Sequence, residues 1–477
     1  MKLFTPTPNR RDFLRGLGGG FGSVALSAMA AEQAAKATIS ADPLAPKPPH
    51  FPPKAKRVIL LWMQGGPSQM DLFDHKPRLE KEAGESVPFA IDGTKVRSDD
   101  AAKLLPPVSE LRQTGESGMW VSDQLPHLST KVDELCFLRA MYTDSAAHPG
   151  AIRLFQTGSQ QFVRPSMGSW ITYGLGTENQ NLPGFVVISP MLYGDDGSPL
   201  HYSNVFLPSI YQGTRLGDAR TPVKESKISY LGNPDLAPGL QRQHLDLIQA
   251  RNRLDMEMAG ADPNIEGLIQ SYELAFRMQM EAPQVFDVMN ESKATLDLYG
   301  IGEKATDNFG RKCLMARRLA EAGVRYIQVT DNGWDHHAKI NDTLRKSAKG
   351  IDKPLTGFLT DLRARGLLDD TLVIWTGEFG RTPFSQIVGK NTEPGRDHNP
   401  HCWTMFFAGA GVKEGTIFGE TDEYAWRGVD GRVHVHDLQA TILHLLGLDH
   451  EKLTYRYSGR DFRLTDVHGH VVKEVLT

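Results

Sequence analysis

Continuous apolar runs recur along the chain after residue 56, and most end in glycine or polar residues. The first run extends from Arg57 to Met63 and leads into Gln64, Gly65, Gly66 and Pro67. A run without polar alternation is typical of a strand buried on both faces. The same pattern predicts further strands at Leu135 to Met141, Phe185 to Ser189, Val324 to Thr330, Thr371 to Thr376 and Thr404 to Ala408.

Helical patterns alternate with these strands. Asp352 to Arg365 and His436 to Leu446 have apolar residues at helical spacing, and Pro263 to Gly323 is mainly helical in character. Strands that alternate with helices predict an α/β fold, a three-layer sandwich with a central, mostly parallel sheet. We interpret residues 57–477 as one domain and about 194–323 as an inserted cap segment, since this stretch begins rich in glycine, proline and polar residues.

The N-terminus carries a different signal. Arg10 and Arg11 precede Phe13 and Leu14, as in twin-arginine signals, and a short glycine-rich apolar stretch ends in an A-x-A site at residues 28–30. We predict a signal peptide at 1–30 and an Ala- and Pro-rich linker at 31–56. The alternative, an amphipathic N-terminal helix, is disfavoured by the glycines. The mature protein is then periplasmic or secreted, uses the twin-arginine export machinery and has no membrane span after signal removal.

Composition narrows the function classes. The 53 basic and 57 acidic residues are well mixed along the chain, so no basic face for nucleic acid is predicted. The three cysteines are few and far apart, which excludes a disulfide framework and iron–sulfur clusters. No dinucleotide-binding fingerprint is present either, and this disfavours a redox role.

Polar residues gather where strands are predicted to end, and ligands of parallel α/β sheets bind at that edge. Four such places stand out, at residues 64–71, 142–150, 331–337 and 377–383, the last followed by 396–401. Each has a functional and a structural interpretation.

At the first place, the amides of Gly65 and Gly66 either donate hydrogen bonds to a bound anion or only form a tight turn. At the second, Ser145 and His148 lie at a helix N-terminus suited to an anion, or act as a cap and a surface residue. At the third, Asp335, His336 and His337 are metal ligands or polar side chains that only face solvent.

At the fourth place, Glu378 is a metal ligand or a base, and Arg381 holds an oxyanion. The alternative is a Glu–Arg ion pair that closes a loop.

Together these motifs resemble an uncharacterised family of secreted sulfatase-like proteins, common in planctomycetes, within the alkaline phosphatase superfamily. The residues that carry the likeness are Gly65 to Ser68 with Asp71 and Asp74, Gly333 to His337, Glu378 to Pro383, and Gly395 to His398. The resemblance covers nearly the whole mature chain and implies an alkaline phosphatase/sulfatase-like fold.

The resemblance also implies site residues. Asp335, His337 and His398 correspond to one metal site, and Glu378 to the acidic member of a second site. Two positions depart from the pattern of that second site: Phe379 stands in place of a histidine, and Gln64 stands near the position of an aspartate.

The nucleophile of the family also differs in this chain. Sulfatases place a Cys or Ser nine residues before a Thr-Gly pair, and here Thr157 and Gly158 count back to His148. Either Ser145 attacks, or His148 is a ligand or covalent nucleophile, or the site is no longer catalytic.

The leading hypothesis is an exported metal-dependent hydrolase of sulfate or phosphate esters, acting on a small molecule or a glycan. Zinc, manganese, calcium or magnesium would polarise the ester, and Arg381 or the Gly65 and Gly66 amides would receive charge. The alternative is a catalytically degenerate binding or assembly protein of the cell envelope.

Overall fold

A nine-stranded sheet forms the centre of the protein in the computed structural model, which describes residues 43–92, 102–190, 199–226, 238–260, 262–387 and 393–477. The predicted signal peptide, including Arg10 and Arg11, lies outside the described residues, as does the linker up to residue 42. Residues 43–56 contain no helix or strand, yet Leu44 and Ala55 are buried against the domain.

The strands are short and are numbered in chain order. They are β1 (Arg57–Gln64), β2 (Leu111–Thr114), β3 (Met119–Ser122), β4 (Leu135–Tyr142), β5 (Phe185–Ile188), β6 (Thr214–Leu216), β7 (Tyr326–Asn332), β8 (Thr371–Thr376), β9 (Gly380–Gln386), β10 (Gly395–Asn399), β11 (Trp403–Ala408), β12 (Thr416–Phe418), β13 (Glu420–Thr421), β14 (Gly428–Asp430), β15 (Val433–His434), β16 (Tyr455–Tyr457) and β17 (Arg460–Phe462).

The α-helices surround the sheet. They are α1 (Gln69–Leu72), α2 (Pro77–Lys81), α3 (His148–Thr157), α4 (Met167–Leu175), α5 (Pro238–Ala259), α6 (Pro263–Phe286), α7 (Lys293–Leu298), α8 (Asp307–Glu321), α9 (Ile340–Ala364) and α10 (Val435–Leu445).

The central sheet has the order β12-β4-β11-β8-β1-β7-β5-β6, and β15 also pairs with β4. All of its pairings are parallel except those of β11, which is antiparallel to β4 and β8. The prediction of a mostly parallel α/β sheet is therefore confirmed. Between β8 and β11 the chain forms the β9–β10 hairpin, which is a separate two-stranded sheet.

Helices α8 and α4 both pack against β7, and α9 packs against α8. The predicted helix at Asp352 to Arg365 is the second half of α9, which begins earlier, at Ile340. Among the residues that the structure describes, no helix combines the length and the apolar character needed to cross a membrane.

The segment at 194–323 contains elements of two kinds. β6 extends the edge of the central sheet and α8 packs against β7, whereas α5 and α6 pack against each other as an antiparallel pair. The division into core and cap remains a prediction.

Candidate metal centre

Four side chains converge where β7 and its neighbours end. They are His148, Asp335, His337 and His398, each with one ligand atom within 4.8 Å of the others'. His148 is the first residue of α3, Asp335 and His337 follow β7, and His398 lies in β10. Among the described residues, this is the one group of three or more His, Cys, Asp or Glu that comes so close.

The three imidazoles present the same nitrogen to one carboxylate oxygen. The distances to Asp335 Oδ1 are 3.3 Å from His148 Nε2, 2.9 Å from His337 Nε2 and 3.2 Å from His398 Nε2. The Asp335 side chain is 35% exposed, so the centre opens to solvent on one side.

Each imidazole also forms a hydrogen bond through Nδ1, on the side of the ring away from Asp335. His148 Nδ1 lies 2.6 Å from Glu378 Oε1, His398 Nδ1 lies 2.6 Å from the carbonyl oxygen of Ala146, and His337 Nδ1 contacts Gln386 Oε1. All three partners accept hydrogen bonds, so the proton of each neutral ring lies on Nδ1. The Nε2 lone pairs are then free to bind a metal ion, and this outer arrangement is usual for metal-ligating histidines.

Electrostatics couple Asp335 to the histidines. Burial favours the neutral form of Asp335, but hydrogen bonds from His148, His337 and His398 and the charge of Arg381 hold its pKa well below the usual range. Burial opposes a charge on His148, yet its contacts with Asp335 and Glu378 outweigh burial and raise the pKa of His148 to about 9. Burial lowers the pKa of His398. A bound cation would replace the proton on His148.

Glu378 lies outside the ligand group, although the sequence predicted it as a metal ligand. Its side chain is fully buried, and Oε1 accepts hydrogen bonds from His148 Nδ1 and from the Gly65 amide at 2.9 Å. The fold places it behind His148 because Glu378 follows β8 and faces the turn after β1. The arrangement fits an outer partner of His148.

Arg381 does not fit the predicted role of an oxyanion holder, since its side chain is fully buried. The guanidinium donates to Asp335 Oδ1 at 2.7 Å and to four backbone carbonyl oxygens, those of Gly65, Gly66, Trp334 and Arg396. It therefore orients Asp335 and ties the loops after β1 and β7 to β10.

The predicted anion donors of the first loop are also engaged. The Gly65 amide donates to Glu378, and the Gly66 amide points back to Met63 at 3.4 Å. Gly66 has a φ of +87°, and a Cβ there would lie 2.8 Å from atoms of Phe379, so this turn requires glycine. The turn interpretation accounts for this motif.

Ser145 is not arranged as a nucleophile. Its Oγ exchanges hydrogen bonds with the amide and carbonyl of Ala147 at 3.2 Å, and the residue is buried. None of its hydrogen bonds among the described residues reaches a base, which an activated serine requires. His148, the other nucleophile candidate, takes the first position of α3 and joins the metal ligands.

The two departures from the second metal site have structural explanations. The Phe379 ring is buried against the imidazoles of His148 and His398, with centroid distances of 4.9 and 4.4 Å. Gln64 lines a small internal cavity together with Gln156 and Gln328. Phe379 thus supports the ligand rings, and Gln64 lines the neighbouring cavity.

Three residues that the sequence did not single out for a role belong to this centre. Gln386 and Ala146 hold imidazoles, and Asp397 is a buried carboxylate 3.9 Å from His337 Nδ1, with no hydrogen-bond partner for either oxygen among the residues that the structure describes. Asp397 stands beside His398 in the polar stretch at 396–401, whereas nothing in the local sequence marks Gln386.

The model of one protein family, described as "Protein of unknown function (DUF1501)", matches residues 55–476. The chain belongs to this family. This confirms the resemblance to an uncharacterised family that the strand-end motifs indicated. No curated protein matches the chain.

Several solved structures are distantly similar to the chain. The lipoteichoic acid synthase LtaP from Listeria monocytogenes shares 10% identity at a TM-score of 0.35, covering 88% of this chain and 78% of that one. The PsFucS1 sulfatase from Pseudoalteromonas sp. shares 12% identity at 0.35, covering 83% and 68%. The TAB5 alkaline phosphatase mutant His 135 Asp shares 13% identity at 0.34, covering 83% and 99%. A likeness of this degree assigns no activity.

Proposed function

We propose that this protein is a metal-dependent hydrolase of sulfate or phosphate esters with a single metal ion bound by His148, Asp335, His337 and His398. One observation carries the proposal: three imidazoles, each fixed through Nδ1, direct their Nε2 atoms at one partly exposed carboxylate. Without a cation, protons on Nε2 have to bridge these imidazoles to Asp335, and the pKa of His148 is raised to about 9 accordingly. A divalent ion takes the place of those protons.

The ligand chemistry favours a transition metal. Calcium and magnesium prefer oxygen ligands, whereas imidazole suits zinc and iron, and manganese also accepts carboxylate. Three nitrogen ligands and one carboxylate therefore favour zinc, then manganese, among the four ions considered.

The charges around the ligand group support a divalent ion. Glu378 and Asp397 are buried carboxylates, Asp335 is a partly exposed one, and Arg381 contributes one guanidinium, so two negative charges remain once a cation has replaced the proton on His148. Buried charges are costly unless they are paired. An ion of charge +2 balances the set.

Such an ion, when bound, would polarise an ester oxygen and lower the pKa of a bound water molecule. The surrounding residues have separate roles. Glu378 holds the His148 proton at Nδ1, and Arg381 fixes Asp335. Phe379 covers the inner side of the imidazoles, so the substrate approaches from the exposed side of Asp335. Because Ser145 is engaged within its own loop, we assign the attack to water.

A second candidate is a binding protein that keeps the metal but does not turn over esters. Four protein ligands complete a tetrahedral set, as in structural zinc sites, whereas catalytic zinc usually keeps one position open. The engagement of Ser145 and Arg381 also favours this candidate.

Metal content and ester turnover, measured on the same preparation, separate the two candidates. We expect about one zinc or manganese ion per chain and hydrolysis of 4-nitrophenyl sulfate or 4-nitrophenyl phosphate. His148→Ala should lose both. His401→Ala, three residues from His398 and outside the ligand group, should keep both. Metal without turnover of either ester would favour the binding protein, and absence of metal would reject both candidates.

We also propose export through the twin-arginine route, supported by Arg10, Arg11 and the short apolar stretch that follows. Replacing both arginines with lysine should leave the precursor in the cytoplasm. Normal yield of mature protein in the periplasm would contradict this assignment.

A further inference from the structure

Asp397 is a carboxylate in an unusual position. Its side chain is 1% exposed, and neither oxygen accepts a hydrogen bond from any residue that the structure describes. It lies where the pairing of β10 with β9 shifts register, between Arg396 and His398, and such irregularities often redirect a side chain beside a functional site. Because a buried carboxylate is costly unless it is paired, Asp397 is favourable only with a donor or a cation close by.

His337 is the donor that the fold holds beside Asp397. Its Nδ1 lies 3.9 Å from Asp397 Oδ1, which is too long for a hydrogen bond but within reach of a small rotation of the ring. The backbone keeps the two residues together. The Arg396 amide donates to the carbonyl oxygen of His336 at 3.0 Å, and a Cβ at Gly395 would lie only 2.0 Å from the carbonyl carbon of His337.

Gln386 competes with Asp397 for the same proton. Its Oε1 contacts His337 Nδ1, but the side chain is only partly buried, so water can replace the imidazole as its partner. Asp397 is fully buried and has no such access to water. The His337 side chain is 28% exposed, which leaves the ring room to turn. The proton on Nδ1 therefore stabilises Asp397 more than it stabilises Gln386.

We propose that Asp397 is the carboxylate partner of His337 in the metal-bound protein, and that Nδ1–H of His337 turns from Gln386 to Asp397 when an ion binds Nε2. This inference rests on the proposed metal centre. The proton stays on Nδ1, and only its acceptor changes. A cation on one ring nitrogen makes the N–H of the other a stronger donor, and such a donor bonds more strongly to a carboxylate than to a neutral amide.

The centre already contains one pair of this kind. Glu378 Oε1 lies 2.6 Å from His148 Nδ1, and its side chain is fully buried, as that of Asp397 is. A carboxylate behind a ligating imidazole fixes the ring and raises its basicity. With Asp397 on His337, two of the three ligating imidazoles would have a carboxylate partner. Asp397 is thus a positioning residue that acts on the ion through His337.

Zinc affinity, measured by competition with a chelator, tests this role. Asp397→Asn keeps the shape of the side chain and removes its charge, and it should weaken zinc binding by about 10- to 100-fold. Gln386→Ala should weaken zinc binding less than Asp397→Asn does. The control is Asp430→Asn, at an exposed position, which should bind zinc as the wild type does. An unchanged affinity in Asp397→Asn, or a larger loss in Gln386→Ala, would overturn the proposal.

Melting temperatures with and without zinc separate this role from a purely structural one. In chelator-treated protein, Asp397→Asn should melt at or above the wild-type temperature, because it removes an unpaired buried charge. In zinc-loaded protein the same variant should melt lower than the wild type, because weaker binding stabilises the fold less. An equal fall in both states would show a structural role and overturn the proposal.

A crystal structure of the zinc-loaded wild type tests the geometry directly. His337 Nδ1 should lie within about 3.2 Å of an Asp397 carboxylate oxygen. A ring that still contacts Gln386, with Asp397 as far away as before, would overturn the proposal while leaving the metal centre intact. A wild-type protein that binds no zinc would overturn the metal centre itself and this inference with it.

Discussion

The substitution Glu378→Gln tests whether Glu378 acts on the metal through His148. In the structure, Glu378 Oε1 accepts from both His148 Nδ1 and the Gly65 amide, and the side chain is fully buried. Glutamine has nearly the same shape and keeps an oxygen that can accept these bonds. The change therefore removes the charge while disturbing the packing little.

The expected loss of metal affinity follows from the position of Glu378, which would contact the ion only through a hydrogen bond to its ligand His148. Loss of an outer partner of a ligating histidine typically weakens metal binding by about 10- to 100-fold. This corresponds to about 1.4 to 2.8 kcal/mol of binding free energy. If Glu378 were itself a ligand, as the sequence predicted, its loss would remove stoichiometric metal.

The assay is zinc competition against a chelator of known affinity, with the metal-to-protein ratio measured at saturation. Glu378→Gln should still reach one ion per chain, but with the weaker affinity. Glu423→Gln, an exposed glutamate, serves as the control. An unchanged affinity, or a variant that never reaches one ion per chain, would refute the outer-partner role.

Three further expectations concern the same region. His337→Ala and His398→Ala should abolish stoichiometric metal by elemental analysis, whereas His336→Ala should retain it, because only the former are in the ligand group. In chelator-treated protein, protonation of His148 stabilises the fold, because its pKa is raised from an ordinary value of about 6.5 to about 9. This contribution is fully present below a pH of about 6.5 and is lost as the pH rises through about 9. His148→Gln should therefore reduce the fall in melting temperature between these two pH values. Asp71→Asn should lower unfolding free energy by about 3 to 5 kcal/mol in denaturant titrations, since it breaks the fully buried, bidentate Asp71–Arg396 pair; a loss under about 1 kcal/mol would contradict this.

The local sequence was sufficient to predict much of the sheet. Continuous apolar runs predicted β1, β4, β5, β7, β8 and β11, because strands buried on both faces need apolar residues at every position. Asp335 and His337 were expected near one another because they are two residues apart at a strand end. His398 was matched to them only through the resemblance, and the structure brings its Nε2 to Asp335.

Only the tertiary structure decided the roles of the remaining residues. His148, Glu378 and Arg381 were all expected near the strand ends, but their side chains point to partners far away in the sequence. The packing of α3 and β9 against the ends of β1, β7 and β8 places Glu378 behind His148 and buries Arg381 under Asp335. A strand pattern reports burial of its own residues, whereas the direction of a side chain after the strand depends on the loops packed around it. For that reason the sequence determined where the site lies, and the packing of distant loops determined which side chains are free to bind a metal.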